Sequence, residues 1–194
     1  KVFPVNPELK SLFDIKAYKS VSDIPGKVEL AVIAVPAESV LKVVRECCEK
    51  EIKDVLIISA GFKEVGNKAS ENELKEYLEL HDMRCIGVNC LGIVDFHRNV
   101  DLIFLPRSRL KRPEAGNISF VTQSGALGSA ILDLCSANGY KFSKFISYGN
   151  ATAIDESDIL EYLLKDKTTK VICLYLEGVK DGEKFFSALK NVAR

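Results

Sequence analysis

A chain of 194 residues makes one large domain or two small ones. With 47% hydrophobic and 28% charged residues its composition is that of an ordinary globular protein, and no apolar run exceeds the six residues of segment 30–35, so no membrane span is encoded. The 27 basic and 27 acidic side chains cancel, which removes the long-range positive field that gathers nucleic acid or anionic lipid; any affinity for phosphate must be built locally.

Short continuous apolar runs alternate with amphipathic helical stretches along the chain. The runs cover residues 1–5, 30–35, 55–59, 85–88, 118–122, 145–147 and 171–176. Continuous rather than alternating hydrophobicity predicts strands covered on both faces, hence an α/β fold with parallel sheets between helices. After the second run, Val40, Val43, Val44, Cys47 and Cys48 fall at i, i+3, i+4, i+7 and i+8, one face of a helix. Ser70 with Glu73 predicts a capping box opening a helix over 74–80. Between 95 and 116 the pattern breaks into scattered charges (Arg107, Arg109, Lys111, Arg112), two prolines and no period. That stretch reads as a solvated connector between two βα assemblies, 1–112 and 113–194.

Beyond the connector, Leu127, Ala130, Ile131, Leu134 and Cys135 repeat the helical spacing, and Gly139 after Asn138 marks the stop. Asp155, Glu156 and Asp158 load the first turn of a helix over 159–164 with the negative charge that suits its dipole. A last helix spans 183–192. The first assembly opens on a strand already under way, the second closes on a helix, and the chain starts at Lys1 without Met, so both assemblies are expected to be incomplete. No signal peptide is visible. The six cysteines form no C-x-x-C pair, which argues against zinc or thioredoxin-type sites and for free thiols in a reducing cytoplasm.

In open α/β sheets ligands collect beyond the carboxyl ends of the strands. The segments there are rich in Gly, Ser, Asn and Pro, which allow close approach to the backbone. The sharpest is Gln123-Ser-Gly-Ala-Leu-Gly128, between a strand and an amphipathic helix. Ser124 and the amides from Gly125 onward stand where a helix N-terminus cradles a phosphate or carboxylate. Ser124 as a nucleophile is the weaker reading, because Thr122 breaks the G-x-S-x-G pattern; a plain helix cap is the third. Asn89, in the loop 87–92, donates from its amide or caps a turn. Cys90 in the same loop has no adjacent His or Lys and reads as an inert thiol. Glu177 ends the last apolar run and either faces the ligand crevice or caps a turn. His81 and His97 define no ligand set. No G-x-G-x-x-G, no Walker A motif and no metal-ligating pattern is present.

The phrases VFPVNP, IKAYKSVSDIP, ELAVIAVPAESV, VLIISAGFKEVG, CIGVNCLGI, GNISFVTQSGALGSAILD, FSKFISYGNATAIDESDILEYL and VICLYLEGVKDGEKF, in this order and spacing, resemble the α-type chain of the nucleoside-diphosphate-forming acyl-CoA synthetases. Within that family the ADP-forming acetate–CoA ligases are the most similar, and the succinyl-CoA synthetase α subunit is a relative. The resemblance implies a Rossmann-like CoA-binding domain lacking its first βα unit, followed by a partial flavodoxin-like ligase domain. It implies the reaction acyl-CoA + ADP + phosphate ⇌ acid + CoA + ATP, through an acyl phosphate and a phosphohistidine, with Mg²⁺ and ADP or ATP held on an ATP-grasp domain or subunit of a homo- or hetero-oligomer.

Carried onto this chain, the resemblance assigns CoA contacts to Val35, Pro36, Ser59, Ala60, Gly61 and Asn89. It assigns phosphate to Gln123, Ser124, Gly125 and Ala126, the acyl site to Gly149 and Asn150, and support of the phosphohistidine to Glu177. Val88 stands where the family's G-P-N-C-x-G motif has proline. Neither His81 nor His97 matches the phosphorylated histidine, so the chain by itself is expected to be inactive. A rival implication is the acyl-CoA-sensing, ligase-like region of a protein lysine acetyltransferase.

Overall fold

The structure is a computed structural model that describes residues 1–193. Its elements run β1 (Ser11–Leu12), β2 (Ile15–Lys16), β3 (Leu30–Ile33), α1 (Ala37–Glu49), β4 (Asp54–Ile57), α2 (Lys68–Leu80), β5 (Arg84–Gly87), β6 (Gly92–Asp95), β7 (Val100–Asp101), β8 (Ala115–Thr122), α3 (Gly125–Ala137), β9 (Phe142–Ser147), α4 (Glu156–Lys165), β10 (Val171–Tyr175) and α5 (Gly182–Val192). Among the described residues no helix is long and apolar enough to cross a membrane.

The first sheet is parallel, in the order β3-β4-β5. Both crossovers step the same way, and the right-handed rule puts α1 and α2 on one face. Val40, Val44 and Cys47 of α1 and Leu74 and Leu78 of α2 are accordingly buried in one cluster with Ile33, Val55, Ile57 and Cys85. The second sheet has the order β10-β8-β9-β6-β7, with β10, β8 and β9 parallel, β6 antiparallel to β9 and β7 antiparallel to β6. Successive residues of β8 and β9 face opposite ways. Phe120 and Phe145 pack with Leu132 of α3, whereas Val121 and Ile146 pack with Ile159 and Leu163 of α4. The chain steps from β8 to β9 on one side and to β10 on the other, so a topological switch point lies between β8 and β10.

Several boundaries differ from the sequence reading. Residues 1–5 form no strand: Val5 makes one isolated bridge to Tyr18, and Pro4, which has no N–H, only accepts from the Tyr18 amide. The hairpin β1–β2 was not legible; its turn puts Phe13 and Asp14 at φ 49° and 60°, without the usual glycine. The cap of α2 is Asn67, whose side chain accepts from the Ser70 amide, and Ser70 lies inside the helix. The expected acidic first turn of α4 is present, with Asp155 and Asp158 closing a capping box.

The largest correction concerns the stretch 95–116. It is no solvated connector: β7 pairs with β6, and Ile103 and Leu110 are buried beneath α3. Arg112, expected in water, has a side chain only 3% exposed and pairs with Asp101 at 3.2 Å. The change of sheet falls between β5 and β6, ahead of this stretch.

The two sheets are joined by main-chain bonds. Asn150 donates to the Val88 carbonyl (2.9 Å), Thr152 to Gly87 (2.9 Å) and Ile154 to Cys85 (3.1 Å). Residues 150–154 thus lie antiparallel to the end of β5. Ile86 of β5 packs into the α4-side core of the second sheet. All six cysteines are free; Cys47, Cys85 and Cys90 are buried, while Cys173 on the edge strand β10 is exposed.

Candidate active site

The carboxyl ends of both sheets open on one cleft of about 660 Å³, walled in part by Ala60, Asn89, Gln123, Ser124, Gly125, Ala126, Gly149, Asn150 and Glu177. Val35, Pro36, Ser59 and Gly61 are not among the residues that line it. The Ser59 hydroxyl donates to the Val35 carbonyl at 2.6 Å, tying the ends of β3 and β4 together. Pro36 occupies the N-cap position of α1. Gly61 has φ +112° and presses on α1, where a Cβ would stand 2.9 Å from that of Ala37. A second hollow of about 340 Å³ between α4, α5 and β10 is lined almost wholly by apolar side chains, without the convergent polar groups of a reaction site.

One wall is the start of α3. Ser124 is its N-cap, and its Oγ accepts from the Leu127 amide at 3.3 Å. Thr122 fixes Ser124 in turn: its Oγ1 accepts from the Ser124 amide and donates to the Ser124 carbonyl, both at 3.0 Å. Gly128 seats the helix on the sheet, since a Cβ there would stand 2.8 Å from the Phe145 ring. Gly125 and Ala126 carry first-turn amides, the donors that a helix leaves without intrahelical acceptors, and both residues line the cleft.

Gln123 bridges the switch point. Its amide donates to the Tyr175 carbonyl at 3.2 Å. Its Oε1 accepts from the Glu177 amide and, at 3.0 Å, from the Gly178 amide. The Gln123 side chain therefore locks the turn that carries Glu177 beside the α3 amides, and its oxygen is spent on that task.

The opposite side is a network between the two sheets. Gly149 has φ +55°, and a Cβ there would lie 2.2 Å from the Val88 carbonyl oxygen, so only glycine fits. Asn150 is buried. Its Nδ2 donates to Glu64 and to Glu71, each at 2.8 Å, and its Oδ1 accepts from Asn89 at 3.3 Å. Lys63 donates from Nζ to the Asn150 carbonyl at 2.5 Å and pairs with Glu71 at 3.4 Å. Glu71 also accepts from the Thr152 hydroxyl at 3.2 Å. Burial pushes the Glu64 carboxyl up, but the Gly61 amide, the Asn150 side chain and the Phe62 amide outweigh it and hold Glu64 below the usual carboxylate range. Asn89 and Asn150 thus hold the cleft's floor together with their amides.

Lys63, Glu64, Glu71, Phe104 and Leu105 belong to this site and escaped the sequence reading. Lys63 and Glu64 lie just past the strand-end segment 59–62, so carrying that segment two residues further reaches them. Glu71 looks like any helix-surface charge until the fold buries it. The histidines stand elsewhere: His81 ends α2 with its ring 4.2 Å from that of Tyr77, and His97 bonds the Gly116 carbonyl at 2.7 Å. Ser124 acts as the cap of α3, and no histidine stands beside it among the described residues of the cleft. Burial pushes the Cys90 thiol up to about 12, and its Sγ donates to the Ile57 carbonyl, so it is the inert thiol expected.

Residues 1–95 match the model of a CoA binding domain, and residues 115–194 that of a succinyl-CoA ligase like flavodoxin domain. Over its whole length the chain is 44% identical to an ADP-forming acetate–CoA ligase of Methanocaldococcus jannaschii, covering 27% of that protein. It is 43% identical to the α subunit of ADP-forming acetate–CoA ligase II of Pyrococcus furiosus, covering 42% of it. The dinucleotide-forming acetyl-coenzyme A synthetase 1 of Ca. Korarchaeum cryptofilum, solved in complex with phosphate and ADP, superimposes with a TM-score of 0.91 at 36% identity, over 98% of this chain and 41% of that one. The chain spans less than half the length of these relatives, whose ligase names favour the ligase reading over the acetyltransferase one. By these matches the chain pairs a CoA binding domain with a succinyl-CoA ligase like flavodoxin domain, and over its whole length it is similar to the corresponding part of ADP-forming acyl-CoA ligases.

Proposed function

We propose that this chain supplies the CoA and phosphate sites of an ADP-forming acid–CoA ligase that converts acyl-CoA, ADP and phosphate to acid, CoA and ATP. The observation that carries the reading is the meeting of the α3 amides, the Glu177 turn and the strand-end loops of the first sheet in one cleft. A phosphate held at the Gly125 and Ala126 amides is placed to attack the thioester carbonyl. The carbon–sulfur bond breaks, CoA leaves as the thiolate, and an acyl phosphate remains. Its phosphoryl group passes to a histidine of the whole enzyme, beside Glu177, and then to ADP.

Positioning and anion stabilisation dominate such transfers. Backbone amides supply both without net positive charge, which suits a chain of formal charge zero. The CoA thiol end lies along Ala60 and Asn89, with Val35, Pro36, Ser59 and Gly61 shaping the loops after β3 and β4. Gly149 and Asn150 close the acyl side. Mg²⁺ and the nucleotide are assigned to an ATP-grasp domain or subunit; among the described residues no group of three or more His, Cys, Asp or Glu is close enough to hold a metal ion. Free cysteines fit an enzyme of the reducing cytoplasm.

The test uses the full-length protein with its nucleotide-binding part. Wild type forms ATP only when acyl-CoA, ADP and phosphate are all present, and ³²P from labelled ATP or acetyl phosphate appears on histidine. Glu177→Gln reduces that labelling at least tenfold while CoA affinity is kept. Undiminished labelling removes Glu177 from its role, and ATP formation independent of phosphate contradicts the reading as a whole.

A further inference from the structure

The polar groups of the cleft floor are engaged with one another, which leaves little there for a hydrocarbon chain to lie against. Of the larger apolar side chains that line the cleft, Leu91 is buried, Ile58 and Leu105 are half-buried and Phe104 is exposed; Phe104 and Leu105 stand in the stretch that sequence patterning marks as a connector. Phe104 is 56% exposed, a large apolar ring on the lining of the cleft. Single exposed apolar side chains are common on proteins; what sets this one apart is that it lines the cleft.

The segment carrying it is braced from below. The buried Arg112 guanidinium donates from Nε to Asp101 (3.2 Å), from Nη1 to the Leu110 carbonyl (2.5 Å) and from Nη2 to the Leu105 carbonyl (2.9 Å). Ile103 and Leu110 are sunk into the α3-side core on either side of the ring. Burying a guanidinium costs several kcal/mol unless it is fully paired. A segment that merely spans two sheets has no need of it; a segment whose backbone must stand still does.

We propose that Phe104 and Leu105 form the wall against which the apolar part of the thioester's acyl group rests, and so set the size of acid accepted. Arg112 is the positioning residue that holds this wall through Leu105. The inference deepens the ligase reading and rests on it: with phosphate at the α3 amides and the thioester carbonyl beside it, the acyl carbons extend along the accessible apolar side of the same cleft.

The test is titration calorimetry of the full-length protein with three unreactive probes: CoA, S-ethyl-CoA and S-(2-phenylethyl)-CoA. Wild type sets a reference ratio of Kd values for the two thioethers. Phe104→Ala shifts that ratio about tenfold towards the larger probe, the size of effect that a few methylenes have in an apolar pocket. Phe104→Leu returns it most of the way, and Arg112→Lys shifts it in the same direction as Phe104→Ala. A change in general stability alone does not move a ratio of two ligands. If CoA binds and the ratio stays within twofold in Phe104→Ala and in Leu105→Ala, the wall proposal is overturned and the ligase reading stands. If wild type binds none of the three probes, the ligase reading falls and the proposal with it.

Discussion

At Gly149 a single hydrogen atom decides whether the two sheets can meet. Its φ of +55° and the 2.2 Å gap to the Val88 oxygen forbid a side chain. Gly149→Ala is expected to lower stability by about 3 kcal/mol or more, from the left-handed backbone plus forced separation of the 148–150 loop from Val88. Gly139 is the internal control: its φ is +75° but nothing stands within 4 Å of its missing Cβ, so Gly139→Ala should cost only about 1 kcal/mol. Denaturant unfolding of the two variants separates backbone strain from contact, and equal losses contradict the interface. Asp166 makes a second residue-scale prediction. Burial pushes its carboxyl up, yet hydrogen bonds from Lys144, Thr169 and Thr168 outweigh that and hold it well below the usual carboxylate range. A depressed carboxyl stabilises the fold fully above its unfolded value near ~3.9, and loses that contribution as pH falls below it. Asp166→Asn should therefore flatten the loss of stability below about pH 4, and cost about 3 kcal/mol or less at neutral pH, because Asp95 still stands 3.5 Å from the Lys144 ammonium. An unchanged acid limb removes Asp166 from that role. Of the site's residues, those with small side chains after strands were legible, since their type is dictated by close backbone approach. Lys63, Glu71 and Arg112 were not. A charged residue reads as solvent-facing unless the fold supplies its partner, and their partners Asn150 and Asp101 stand 87, 79 and 11 positions away.

At the scale of elements, the helices were readable from their 3.6-residue period and from Asp155 and Gly139 at their ends. The strands β1, β2 and β7 were not, because two residues carry no pattern; β6 was not, because Gly92-Ile-Val-Asp95 has only two apolar residues in a row and its pairing is settled across the sheet. Ser124→Asp separates the capping role of α3 from its anion-binding role. Aspartate is as good an N-cap as serine, so the melting temperature should stay within a few degrees of wild type or rise. The same carboxylate repels phosphate at the Gly125 and Ala126 amides, so phosphate-dependent ATP formation by the full-length protein should fall at least a hundredfold. Full activity with a normal melting temperature makes α3 a structural helix only.

In the whole molecule, function follows from two sheets docked with their carboxyl ends towards one cleft. The alternation of strands and helices announced the α/β class and the crowding of small residues at strand ends. It did not announce that residues 150–154 lie along β5, because that pairing joins segments some 65 positions apart through backbone atoms, which no side-chain pattern encodes. The central claim is that the start of α3 holds the transferring phosphate between the CoA loops and Glu177. A crystal structure of the full-length protein grown with CoA and inorganic phosphate tests it most directly. The account predicts a phosphate within hydrogen-bonding distance of the Gly125 and Ala126 amides, with the CoA sulfur on the Asn89 side of the same cleft. A phosphate bound elsewhere while those two amides face only water would contradict it.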